Sequence, residues 1–170
     1  MRYSQEETIE HCETIKANHS INIDSCVSSI GDAYLSEGGK LDFTKPNPII
    51  NLDCVERILF KKHQRPGRKT MDIMFVVHKD TQKNIVVADF KLNTPPNSKL
   101  QSITKPSIDS KISNSESAFS FGIPLIEKKY LIFRKEAVKT ATSKLNRLHY
   151  NKKHNIVSTD INTFYNLFFV

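Results

Sequence analysis

The chain has 170 residues, 38% hydrophobic and 25% charged, with ten Phe and no Trp, a globular composition that excludes wholesale disorder. Its apolar runs, such as Ile85 to Ala88, fall far short of the roughly 20 residues of a membrane span, and its acidic start is unlike a signal peptide, so a soluble cytoplasmic chain is expected. The net charge of +7 hides a polarity: residues 1–56 hold 4 Lys/Arg against 10 Asp/Glu, whereas residues 57–170 hold 21 against 8, which points to a polyanion as partner.

In chain order, residues 5–18 place Ile9, Cys12 and Ile15 at helical spacing, with His11 on the outer side. Residues 22–35 repeat the pattern and are read as a second helix interrupted by Gly31. A loop with Gly38-Gly39, Pro46 and Pro48 then marks the passage from the acidic part (1–40) to a sheet core (50–170) within one domain. The stretch 51–63 fits helix and strand about equally and is read as a strand from Val55 to Lys61. Cys12, Cys26 and Cys54 are an odd number at wide spacings with no CxxC, which predicts core thiols rather than a disulfide or a closed zinc site.

Two strands, 70–77 and 84–92, flank the polar connector HKDTQK and form a β-hairpin. A Pro- and Ser-rich stretch follows, then a helix over 107–119, a strand over 128–133, a basic helix over 137–150 and a final segment NIVSTDINTFYNLFFV. Between Lys128 and Lys153, nine cations face one acid, Glu136. Lys139, Lys144 and Arg147 on the basic helix, with Lys152 and Lys153 after it, are therefore candidate nucleic-acid contacts. His149 and His154 lie in the same segment and read as phosphate contacts or surface residues.

The hairpin strands are apolar on both faces, which places them in the middle of a covered sheet. Into them the sequence sets Asp72, Asp89 and Lys91, although Asp is depleted in strands and a buried charge without a partner is costly. If the turn centres on Asp80 and Thr81, antiparallel partners have numbers summing to 161, so Asp72 lies opposite Asp89 with Lys91 on the same face. Carboxylates on opposed Cβ atoms about 4.5–5.5 Å apart repel unless a proton or a cation intervenes. A hard divalent cation, Mg²⁺ or Mn²⁺, is one solution. The other is a Lys91–Asp89 salt bridge with Asp72 solvated at the sheet edge.

An Asp on one strand followed by IVVADFK on the next resembles the core of the PD-(D/E)XK nuclease superfamily. The motif covers residues 70–92, although Met71 stands where the family usually has Pro and Asp89 is its rarer acid. The resemblance implies an α/β fold, a mixed central β-sheet flanked by helices in αβββαβ order. It also implies a metal-dependent nuclease in which Asp72 and Asp89 bind Mg²⁺ and Lys91 positions or activates the attacking water. The family often adds an acid from the preceding helix, for which Glu56 ranks first and Glu10, Glu13 and Glu37 follow. It often adds a Lys or Gln from the helix after the motif, for which Gln101 and Lys111 are available. The alternative is a non-catalytic nucleic-acid-binding protein, or a partner protein of a toxin or defence system, on the same fold.

Overall fold

The computed structural model of the protein describes residues 1–40, 45–93, 105–149 and 155–170. A two-residue strand β1 (Arg2–Tyr3) precedes helix α1 (Gln5–His19). A single 3-10 turn (Asp24–Cys26) leads into β2 (Val27–Ser29) and α2 (Ile30–Ser36). Strand β3 (Pro48–Asn51) passes directly into α3 (Leu52–His63). The hairpin is β4 (Ile73–Lys79) and β5 (Gln82–Phe90), followed by α4 (Lys105–Phe119) and β6 (Lys129–Phe133). Helix α5 (Lys135–Arg147), β7 (Ile156–Asp160) and α6 (Ile161–Phe168) complete the chain.

The seven strands form one mixed sheet in the order β2-β3-β4-β5-β6-β7, antiparallel through β5 and parallel from β5 to β7. The outer edge of β4 is shared, with β3 on residues 73–74 and β1 on residues 77–78. Alternation divides the core in two. Met74, Val76, Ile85 and Val87 pack with residues of α1, α3, α4 and α5, while Ile73, Phe75, Val86 and Ala88 pack with α2 and α6. Helices thus cover both faces, which is why the central strands read as continuously apolar. Among the described residues, no helix is long and apolar enough to cross a membrane.

The expected strand over Val55–Lys61 is instead the middle of α3. Asn51 caps it, accepting a hydrogen bond from the Cys54 N–H at 2.9 Å, a contact that stabilises a helix by about 1 kcal/mol. A helix also buries Leu52, Val55 and Leu59 together, whereas a strand through Val55 and Leu59 would carry Arg57 and Lys61 onto the same face. Residues 22–35 are likewise not one helix. Ser29 ends β2 and caps α2, accepting from the Asp32 N–H at 2.9 Å, so Gly31 lies in its first turn.

The cysteines, too, differ from the expected core thiols. Cys26 and Cys54 form a disulfide across 28 residues of sequence, and only Cys12 is a buried free thiol. The pairing of Val27 with Ile50 brings the turn before β2 beside the start of α3, a proximity that sequence spacing does not reveal. On α1 the buried side chains are Thr8, His11, Cys12 and Ile15, while Ile9 is exposed. The polar members of that stripe are bonded except at His11 Nδ1, which is buried with no hydrogen-bond partner among the described residues. The Thr8 hydroxyl donates to the Ser4 carbonyl at 2.7 Å and accepts from the Val76 N–H at 3.0 Å, and His11 Nε2 donates to the Phe119 carbonyl at 2.7 Å.

Candidate functional site

The β4–β5 register runs from Ile73–Ala88 to Lys79–Gln82, so Asp72 stands one step before the first pair and faces Asp89. Backbone bonds fix it there: the Asp72 N–H donates to the Ala88 carbonyl at 3.0 Å, and the Leu52 N–H donates to the Asp72 carbonyl at 2.9 Å. Parity sends both side chains toward the helical layer that contains α4. Asp72 is 8% exposed and Asp89 0%, so neither is a solvated edge residue.

Two lysines close on the acids. Lys91 bridges Asp89 Oδ2, and Lys111, from α4, bridges Asp89 Oδ1 and lies 3.4 Å from Asp72 Oδ1. The remaining oxygen, Asp72 Oδ2, accepts from the Phe90 N–H at 2.5 Å. Burial, reinforced by the Asp89 charge and a hydrogen bond between the two carboxyls, pushes the Asp72 acid up to about 8. Burial acts on Asp89 in the same direction, but the Lys91 and Lys111 ammonium groups outweigh it and hold Asp89 below the usual carboxylate range. Asp72 therefore carries the shared proton and Asp89 the charge. Lys111 moves upward despite its burial, because both acids favour its charged form.

Glu56, ranked first as the additional acid, does not join this group. It sits on α3, on the helical side expected, but its carboxylate takes both guanidinium nitrogens of Arg65, at 2.5 and 3.0 Å, and the Arg68 N–H at 2.8 Å. Burial would raise its pKa, yet these donors lower it. The helix-borne acid whose field reaches Lys111 is Asp53, in the first turn of α3 and held by the Thr70 hydroxyl at 3.1 Å. Reading 51–63 as a strand hid it; the Asn51 cap is the signal that would have found it. Glu10 pairs with Lys83 of β5 and Glu13 with Lys16 along α1, and Glu37 caps α2 on the opposite face of the sheet.

The basic helix is α5, with Ala137, Ala141 and Leu145 turned inward and Lys139 and Arg147 exposed. It begins where β6 ends, beside the acid-bearing end of β5, and runs back along the sheet. Arg147 thus lies about 18 Å further along the helix axis than Lys135. Lys144 is half-buried, and burial lowers its pKa, with Arg147 adding repulsion. Lys152, Lys153, His154 and Gln101 lie outside the described residues.

No three His, Cys, Asp or Glu side chains converge to hold a metal among the described residues. The two carboxylates nevertheless fit Mg²⁺ or Mn²⁺: they are hard oxygen donors, crowded and sharing a proton, and Mg²⁺ commonly takes only one or two carboxylates and completes its shell with water or phosphate. Comparison with protein-family models, curated proteins and solved structures gives no match.

Proposed function

We propose that the protein is a metal-dependent nuclease that hydrolyses phosphodiester bonds of DNA or RNA. The observation that carries this reading is the facing pair Asp72 and Asp89, buried on adjacent antiparallel strands, with Lys91 two residues further on. The succession β3, β4, β5, α4, β6 also follows the βββαβ part of the order that the PD-(D/E)XK resemblance implies, with α3 inserted after β3. Asp72 and Asp89 would hold Mg²⁺ or Mn²⁺, which when bound polarises a phosphate and lowers the pKa of its water.

The chain's own residues supply the rest. The Phe90 N–H orients the Asp72 carboxyl. Lys91 and Lys111 place two ammonium groups where negative charge builds on a phosphoryl group, an electrostatic contribution that is large in a water-poor site. The exposed cations of α5 position the strand through its backbone. The test is incubation with DNA and RNA substrates in Mg²⁺, Mn²⁺ and EDTA beside the Asp89→Ala protein. Divalent-dependent cleavage lost in Asp89→Ala is expected, and equal inactivity in every tube would overturn the reading.

A second reading rests on its own observation. Lys91 and Lys111 close on Asp89 from its two oxygens, as in a structural ion cluster. On that reading the chain binds nucleic acid, or a toxin or defence-system partner, without cleaving anything.

A further inference from the structure

Residues 68–72 run alongside α4 in the reverse direction. The Met71 N–H donates to Ser115 Oγ at 2.9 Å, and Asn114 Nδ2 donates to the Lys69 carbonyl at 2.9 Å. One end of this seam is the Asp72–Lys111 contact. At the other end a cavity of about 290 Å³ opens between α1, α3, the 65–68 turn and the end of α4. Its walls include His19, His63, Arg65, Arg68, Leu59 and Phe121.

No carboxylate lines this cavity among the described residues. Arg65 is locked on Glu56, which also holds the Arg68 backbone, so the Glu56 carboxylate fixes the shape of the basic wall. The side chains of Arg68 and His63 are exposed and make no ion pair among the described residues. His19 is pinned by donating Nε2–H to the Ala118 carbonyl at 2.9 Å, and its ring meets Phe121 edge-on with centroids 5.5 Å apart. Phe121 is held at φ 44, a left-handed conformation uncommon for a bulky residue and concentrated at binding sites. The rest of the lining is thus largely apolar and aromatic, with Leu59, Ala118 and Phe121. Another cavity, of about 330 Å³, sets three acids, Asp109, Glu116 and Glu127, against one cation, Lys129, and is less suited to an anion.

We infer that the His63/Arg68 cavity binds the phosphate of a nucleotide unit, with Arg68 and His63 as donors and Phe121 beside the sugar or base. Its position suggests the source. Along α4 the cavity residue Ser117 lies about 9 Å from Lys111, so a strand with one phosphate at the acid pair can seat a neighbouring phosphate here. The seating of a strand rests on the nuclease reading, whereas the phosphate site itself does not.

The experiment is a fluorescence-anisotropy titration of a labelled single-stranded oligonucleotide in EDTA, where no cleavage occurs, with competition by AMP and by adenosine. Arg68→Ala should weaken oligonucleotide binding about tenfold and Arg68→Glu further, with a shallower dependence on salt. Arg68 is exposed, so circular dichroism should show both variants folded. AMP should compete and adenosine should not. Calorimetric binding of AMP that is lost in Arg68→Glu, without oligonucleotide binding, would keep the phosphate site and assign it to free nucleotides. Wild-type affinity of Arg68→Glu for both oligonucleotide and AMP would overturn the proposal. Arg68-dependent binding without cleavage in Mg²⁺ would remove the nuclease reading alone, and Mg²⁺-dependent cleavage with Arg68-independent binding would remove the cavity alone.

Discussion

Four ionisable side chains share the end of β5, and the proton on Asp72 ties their balance to pH. Its carboxyl is raised from 3.8 to about 8, so between those values the folded protein binds a proton that the unfolded chain has lost. Stability from this group is therefore full below pH 3.8 and falls as pH rises through 8. The loss in EDTA should reach a few kcal/mol, with an upper bound of roughly 6. Asp72→Asn should flatten that slope in urea unfolding measured from pH 5 to 9, and an equally steep variant would place the proton elsewhere. Removing the lysines should not be equivalent. Lys111 touches both acids and Lys91 only one, so Lys111→Met should cost more than Lys91→Met, each about 1–3 kcal/mol. Thermal unfolding in EDTA and in Mg²⁺ checks this: if the acids take a metal, Mg²⁺ raises the wild-type midpoint, and no rise favours the ion cluster.

Among the elements, α4 matters most to the site because it delivers Lys111 and the Ser115 contact to the seam. Its C-terminal carbonyls, left without helical partners, are taken by two histidines of α1, His11 on Phe119 and His19 on Ala118. Burial lowers the His11 pKa, and the Phe119 carbonyl only partly opposes this. The folded state therefore resists a proton that the unfolded chain accepts below 6.5, and stability from this contact is lost as pH falls through that value. His11→Ala should cost about 1–3 kcal/mol at pH 8 and remove that acid loss, which urea unfolding at pH 5 and 8 measures. The hairpin was legible because period-2 alternation and a polar connector agree, and its register followed from the turn at Asp80 and Thr81. Helix α3 was not, since Val55 and Leu59 satisfy both periods and only the Asn51 cap separates them. That ambiguity touches the acids as well: Glu56, ranked first as the additional acid, pairs with Arg65, and the α3 acid whose charge reaches Lys111 is Asp53.

At the scale of the molecule, two helical layers are bound to one sheet, and one covalent link adds to the packing. The Cys26–Cys54 disulfide joins the acidic N-terminal part to the first turn of α3. Such links matter through the unfolded chain, here by roughly 3 kcal/mol. Cys26→Ser, or reduction of the wild type, should therefore lower Tm by about 6–12 °C, and an unchanged Tm would show that packing alone fixes this junction. The expectation of three thiols suited a reducing cytoplasm, whereas a structural disulfide persists in oxidising surroundings. The α/β class with a mixed sheet was what the PD-(D/E)XK resemblance implied, and the sheet is mixed. The covalent link was not readable, because it depends on the β2–β3 register rather than on cysteine spacing.

The origins of the site's charges also bear on the path by which the protein folds. Asp72 and Asp89 meet through hairpin pairing, a local event that is fast, whereas Lys111 arrives only when α4 docks. Early in folding, two carboxylates are thus brought face to face with Lys91 alone beside them, and their repulsion raises the barrier. Above pH 8, where Asp72 is ionised in the folded and unfolded chain alike, Asp72→Asn should refold faster than the wild type in stopped-flow experiments, and added salt should narrow the gap by screening the wild-type charges. Equal rates would mean that the hairpin closes at the acids only after α4 is in place.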